Sequence, residues 1–155
     1  MNGPLLLLAL TTTLVSAEPS RPGADAILGV WATENDEAHV EIYRRDGGYY
    51  GKFVWFRNDP RDGGLDVKNP DPELRRRKLL GSDFVLDFRF DGKKWKKGRI
   101  YNPEDGKRYK ADLELKDGLL RVRGWIGIRV LGRTVEWTRV APAGDPPEPP
   151  GSGAG

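Results

Sequence analysis

His39 is the only histidine and cysteine is absent. The chain therefore has no thiolate zinc site or thiol nucleophile, and with one histidine almost no material for a Ser-His-Asp triad. Carboxylates are the remaining chemistry. Asn58-Asp59-Pro60-Arg61-Asp62-Gly63-Gly64-Leu65-Asp66 gathers three of them around a glycine pair. Calcium favours oxygen ligands on such a loop, but the spacing is not that of an EF-hand. Arg57 and Arg61 offset the charge, and Asx turns explain the composition without a metal. Paired carboxylates can support hydrolysis, yet no two can be placed across one cavity from spacing alone. The sequence shows no recognisable catalytic constellation, so no catalytic residue, metal or cofactor is expected. His39 alternates with Val40 and Ile42, which reads as an exposed strand position without catalytic duty.

The elements that would position any site follow from length and pattern. With 155 residues, 32 % charged and 37 % hydrophobic, the chain suits one domain with a real core. The first seventeen residues, MNGPLLLLALTTTLVSA, carry no charged side chain and end in the small-x-small pattern Val15-Ser16-Ala17. They read as a secretory signal peptide, too short for a spanning helix of about 20 residues. A periplasmic or secreted protein is expected, one that does not span the membrane. Residues 18–26 form a flexible lead-in, 27–140 the folded domain, and 141–155 a disordered Pro/Gly-rich tail.

Charge is uneven. Residues 18–70 hold 7 Lys+Arg against 10 Asp+Glu, and residues 71–155 hold 19 against 13. Basic clusters fall at Arg75 to Lys78, Lys93 to Arg99 and Lys107-Arg108. An exported chain seldom meets nucleic acid, so an anionic envelope component is the expected partner for such a surface, beside a small-molecule ligand.

Alternation dominates residues 27–140. Phe84, Leu86, Phe88 and Phe90 oppose Val85, Asp87 and Arg89. In Lys107 to Lys116, Tyr109, Ala111, Leu113 and Leu115 share one face. Leu120 to Ile128 and a last strand carrying Val135, Trp137 and Arg139 repeat the pattern. Less regular strands are Ile27 to Ala32, His39 to Arg44, Tyr49 to Phe56 and Trp95 to Tyr101. Turn residues such as Asp46-Gly47-Gly48, Asp91-Gly92, Asp117-Gly118 and Leu131-Gly132 punctuate them. The expectation is an all-β, eight-stranded antiparallel up-and-down barrel, with a two-sheet sandwich as the alternative. Arg57 to Asp83 is too long for a hairpin loop. Asp71-Pro72-Glu73 starts a short helix over Pro72 to Leu79.

Gly29-Val30-Trp31 opens the first strand and Arg139 closes the last. In a closed barrel these strands are neighbours, and the Arg can lie over the Trp as a cation–π pair. This pattern resembles the calycin superfamily of lipocalins and fatty-acid-binding proteins, with Trp31, Trp137 and Arg139 in structural barrel closure. More specifically, the segments ILGVWATENDEAHVEIY, GKFVWF, LDVKNPDPELRRRKLLG and GRIYNPEDGKRYKADLELKDGLLRVRGWIGIRVLGRTVEWTRV resemble the bacterial domain-of-unknown-function family 2147 from Ile27 to Val140. The resemblance implies an exported calycin-like barrel and brings no assigned activity with it. It also implies a cysteine pair flanking the second hairpin in many members. Arg45 and Tyr50 stand at those positions here, and two cysteines in their place should bridge if the hairpin register is right.

Polar and aromatic residues within the family-like segments are the ligand-binding candidates: Lys52, Trp55, Asn69, Tyr101, Tyr109, Arg123 and Arg133. Asn69 could instead fix a turn, and Trp55 and Tyr109 could fill core. Lys52 shares a face with Val54 and Phe56, which would set its ammonium beside apolar surface. Two functions fit these readings. One is a carrier that takes an apolar or amphipathic, anionic ligand at the barrel mouth. The other is an envelope interaction module that binds anionic lipid, polysaccharide or a protein partner through its basic outer face and exposed Trp125 and Trp95.

Overall fold

Eight strands pair in chain order all the way round, so the meander closes on itself and leaves no free sheet edge. The computed structural model describes residues 22–127 and 132–140. The expected signal peptide, residues 18–21 of the lead-in, positions 128–131 and the tail lie outside the described residues. The strands are β1 (Gly29–Ala32), β2 (Ala38–Arg45), β3 (Gly48–Phe56), β4 (Asp83–Phe90), β5 (Trp95–Asn102), β6 (Lys107–Lys116), β7 (Leu119–Trp125) and β8 (Arg133–Arg139). This is the expected antiparallel up-and-down barrel. Asp46-Gly47 and Asp117-Gly118 take positive φ at both positions, the twist-matching geometry of two-residue hairpins. Antiparallel order puts the β1–β2, β3–β4, β5–β6 and β7–β8 connections at one end. The remaining hairpins and a 3-10 turn at Ala24–Ile27 lie at the other.

That second end is plugged. The Arg139 guanidinium lies 4.2 Å over the Trp31 ring and donates to the carbonyls of Leu28 (2.8 Å) and Ala26 (2.6 Å). Trp31 Nε1 donates to Ile27 O at 2.9 Å, and Trp95 Nε1 to Ala24 O at 3.0 Å. The lumen behind this plug is filled by side chains. Phe53 and Phe84 stack at 3.8 Å between centroids, and Phe84 meets Trp137 at 6.0 Å. Tyr49 meets Trp95 edge-on at 6.3 Å. Two glycines make the packing fit. A Cβ on Gly51 would approach Val85 to 2.8 Å, and one on Gly98 would run into the Phe88 ring.

Bulges overturn several facial assignments, because one extra residue shifts the two-residue alternation. His39 pairs with Trp55 but Val40 pairs with Phe53. Lys52 therefore faces outward opposite Glu41, away from the face that Phe56 shares with Ala38. Asp87 (φ 50°) and Lys97 (φ 62°) are backbone irregularities on the paired strands β4 and β5. Leu86 consequently pairs with Arg99 on the outer face, while Val85 joins the core. Trp95, expected on the surface, is fully buried.

The expected helix is a five-residue 3-10 turn, Pro72–Arg76, capped by Asp71 accepting from Glu73 N–H at 3.0 Å. It stops there because Arg77 leaves in an extended conformation to reach Asp66. In the β2–β3 hairpin, Tyr43 stands opposite Tyr50 and Arg45 opposite Gly48. Arg45 and Tyr50 are thus diagonal, not facing, and the directly bridged pair implied by the family resemblance is not what this register offers. The Arg45 guanidinium instead lies 4.0 Å over the Tyr50 ring.

Arg139→Ala removes two charge-assisted hydrogen bonds and the ring contact, so it should lower unfolding free energy by about 2–4 kcal/mol. Arg139→Lys should recover less than half of this, since an ammonium cannot make the same forked contact. Urea unfolding of the three proteins measures both.

Candidate functional site

The long β3–β4 connection folds back as a strap. Leu79 N–H donates to Gly64 O at 2.8 Å and Asp66 N–H to Arg77 O at 3.1 Å. At its centre Asp66 is buried and fully used. It accepts from Tyr101 Oη (2.5 Å), Asn69 Nδ2 (2.7 Å) and the Arg77 guanidinium (2.9 Å). Asn69 Oδ1 accepts from Asp71 N–H at 2.9 Å. The strap also grips the β5–β6 turn. Lys68 Nζ donates to Glu104 O at 2.5 Å, and a Cβ on Gly106, at φ 70°, would overlap Lys68 O. The strap around Asn69 and the turn Asn102–Gly106 thus hold each other.

With the strap fixed on one side, the open end leaves a cleft of about 580 Å³ on the other. Ile100, Tyr109, Val122, Gly124, Trp125, Ile126 and Val135 line it, with Asn102, Gly132, Glu34 and Arg133 at the edge. Arg133 is 78 % exposed and paired with Glu34 at 2.7 Å. Tyr109 Oη donates to Asp105 at 2.5 Å. Gly124, the next-to-last residue of β7, sits at ordinary distance from its neighbours, the nearest being Tyr109 Cβ at 3.6 Å. Unlike Gly51 and Gly98, no crowding requires it. Its missing side chain enlarges the cleft.

A larger groove of about 890 Å³ lies on the outer face of β6–β8, beneath the Glu34–Asp36 turn. Its cations have partners within it: Lys94 pairs with Glu114 (3.1 Å) and Arg121 with Glu136 (2.9 Å), and Arg123 donates to the Thr134 hydroxyl (3.0 Å). Large apolar side chains are few there, Leu119 and Val135 among them.

Of the seven candidates, Tyr109 and Arg133 come together at the mouth. Arg123 lines the outer groove. Lys52 is paired with Glu41 at 3.0 Å on the outer wall. Trp55 is exposed beside His39, with ring centroids 4.4 Å apart, and His39 itself contacts Asp36 at 2.7 Å. Asn69 and Tyr101 belong to the buried Asp66 cluster. Of the carboxylates near the glycine pair, Asp66 is buried while Asp59 and Asp62 are exposed. Among the described residues no group of three or more His, Asp or Glu is placed to hold a metal ion. Glu34, Asn102 and Ile126 were not singled out from sequence as site residues, and Trp125, expected on an exposed partner-binding face, is half-buried at the cleft instead. Gly124 carried a signal, a glycine inside an alternating strand.

Four of the five tyrosines donate to an aspartate: Tyr43 to Asp83 (2.6 Å), Tyr49 to Asp25 (2.8 Å), Tyr101 to Asp66 and Tyr109 to Asp105. Burial and the neighbouring carboxylate push the Tyr43 phenol up to about 12. The same two causes raise Tyr101 further and Tyr49 to a lesser extent. For Tyr109 the hydrogen bond to Asp105 leads.

The family pattern described as "Uncharacterized protein conserved in bacteria (DUF2147)" matches residues 29–139. Among solved structures, protein HP1028 from the human pathogen Helicobacter pylori, described as belonging to the lipocalin family, is similar in fold. It is 26 % identical at a TM-score of 0.67, over 75 % of this chain and 84 % of that one. No curated protein matches the sequence.

Raised phenol values set a sign for pH dependence. The folded form holds these protons more tightly than an unfolded chain, whose phenols ionise near about 10. The stabilisation is complete below that pH and is lost as pH rises through the folded values. Urea midpoints should fall between about pH 9 and 12, and Tyr101→Phe, already less stable at neutral pH, should show a shallower fall. Tyrosinate absorbance should rise late, most of it above about pH 10.

Proposed function

The chain belongs to the bacterial DUF2147 family, and on that premise we propose that it is an exported small-molecule binding protein. Its ligand is amphipathic and anionic, held at the barrel mouth. The observation that carries this reading is the mouth cleft itself. Ile100, Val122, Val135 and Ile126 offer an apolar wall, Gly124 keeps it open, and Arg133 stands at the edge with its guanidinium largely in water. Ligand sites combine such apolar walls with a few placed polar groups. The lumen below is occupied by aromatic side chains, so the ligand enters only the outer part of the barrel, apolar portion inward and anionic group at the rim.

Glu34 competes with the ligand for Arg133. The pair is exposed, so breaking it changes affinity by no more than about fivefold. The uncharged leader through Ala17 supports export.

A fluorescent fatty-acid analogue with a free carboxylate, titrated into the protein, should bind saturably and be displaced by an unlabelled fatty acid. Gly124→Leu fills the cleft and should abolish binding without unfolding the barrel. Arg133→Gln should weaken the carboxylate probe about two- to fivefold while sparing its methyl ester, and Glu34→Gln should strengthen it by a similar factor. Saturable binding that Gly124→Leu leaves intact would move the site elsewhere.

A further inference from the structure

The exposed large hydrophobic side chains of the described residues all lie at one end of the barrel. They are Val54 and Trp55 at the end of β3, Val67 and Leu80 on the strap, and Ile126 at the end of β7, between 37 % and 56 % exposed. These belong to the connections that surround the mouth. The opposite end, with its tight charged turns and the Ala24–Ile27 plug, contributes none. Isolated apolar side chains on a surface need no explanation, but their segregation around one opening does.

Cations stand beside them. The side chains of Arg76 on the strap and Arg108 at the start of β6 are exposed and have no hydrogen-bond or ion-pair partner among the described residues. On the adjoining outer face Arg99 stands directly opposite Lys110, both exposed. Like charges facing across strands repel unless an outside anion relieves them. Several carboxylates at this end are already engaged: Asp36 with Arg57, Glu34 with Arg133, Asp66 with Arg77, and Asp105 with Tyr109. Glu37, Asp59, Asp62, Asp71, Glu73 and Glu104 remain outward, so the attraction is local to Arg76, Arg108 and the Arg99–Lys110 pair, and the apolar rim supplies much of the contact.

We propose that the open end docks on a lipid bilayer bearing anionic headgroups, with Trp55, Val67 and Leu80 at the interface and Arg76 and Arg108 on phosphates. An aromatic ring and short apolar protrusions flanked by cations suit the headgroup boundary, where each nearby cation adds about a fivefold gain in partitioning. This docking deepens the reading of the mouth, on which it rests for its purpose: it makes the bilayer the source of the amphipathic ligand.

Co-flotation with vesicles tests it. Phosphatidylglycerol/phosphatidylethanolamine vesicles are compared with pure phosphatidylcholine, using both the full chain and the form beginning at Glu18, so that the apolar leader's own affinity is separated. The Glu18 form should float with the anionic vesicles and lose most of that binding in high salt. Trp55→Ser/Leu80→Ser should weaken it at least about tenfold, as should Arg76→Glu/Arg108→Glu. Lys93→Glu/Lys116→Glu makes the same charge change at the plugged end and should cost less than about threefold. Binding only by the full chain, equal losses from the two charge-reversed pairs, or retention on dextran sulfate without vesicle binding would overturn the proposal. So would a rim-dependent oligomer formed without lipid. Fatty-acid probe binding, measured on the same rim variants without vesicles, should be unchanged. Its survival alongside failed flotation would defeat the docking and leave the mouth site standing, and its loss in the wild-type protein would defeat the mouth site.

Discussion

Barrel closure is the constraint on which the rest of the structure depends, and it is made across a narrow seam. β1 and β8 share two register pairs, Trp31 with Arg139 and Ala32 with Thr138. So short a ladder is weak by itself, and the seam is reinforced by the Arg139 side chain. One guanidinium covers the Trp31 ring and takes the carbonyls of Ala26 and Leu28, tying the first strand, the last strand and the N-terminal turn together. Closure in turn removes both edges of the sheet, which lets a chain without cysteine fold on burial alone. It also fixes which end is plugged, and so which end is left to meet anything else.

At the open end the organising interactions are polar. The strap crosses from β3 to β4 over more than twenty residues and carries few buried hydrophobic side chains, Leu79 being one. Asp66 takes the place of a core there. A buried carboxylate is costly unless its lone pairs are occupied. Tyr101, Asn69 and Arg77 occupy them, and no buried side-chain polar atom among the described residues lacks a partner. The strap is therefore held in one position, and the cleft on the far side of the mouth is what it leaves uncovered. Pairing phenols with carboxylates throughout the molecule gives rigidity at neutral pH and places the cost in the alkaline range.

Three strand glycines show how one residue type serves opposite ends. Gly51 and Gly98 are where aromatic and branched side chains press closest, so they permit a solid lumen. Gly124 has no such pressure and lies where the lumen opens. The same barrel is accordingly filled where Gly51 and Gly98 lie and open beside Gly124, on the β5–β8 side of the rim.

Strand number, the up-and-down order, the closing Trp31–Arg139 contact and the start of the turn at Asp71 were all legible in the chain, because each rests on local alternation, turn chemistry or a single predictable neighbour. Lys52, Leu86 and Trp95 were misplaced because β2–β3 and β4–β5 each contain an irregularity, and an inserted residue flips every later side chain without altering the composition that alternation reads. Asn69 and Tyr101 looked like ligand contacts for a different reason. Their polarity is spent on Asp66, a partner that only the folded strap brings within reach of β5. Tyr109 and Arg133 were found, while Glu34 and Ile126 were not, since a rim assembled from four separate connections has no period in the sequence. Sequence alone determined the barrel; tertiary structure decided which polar groups were consumed in holding it and which were left facing water.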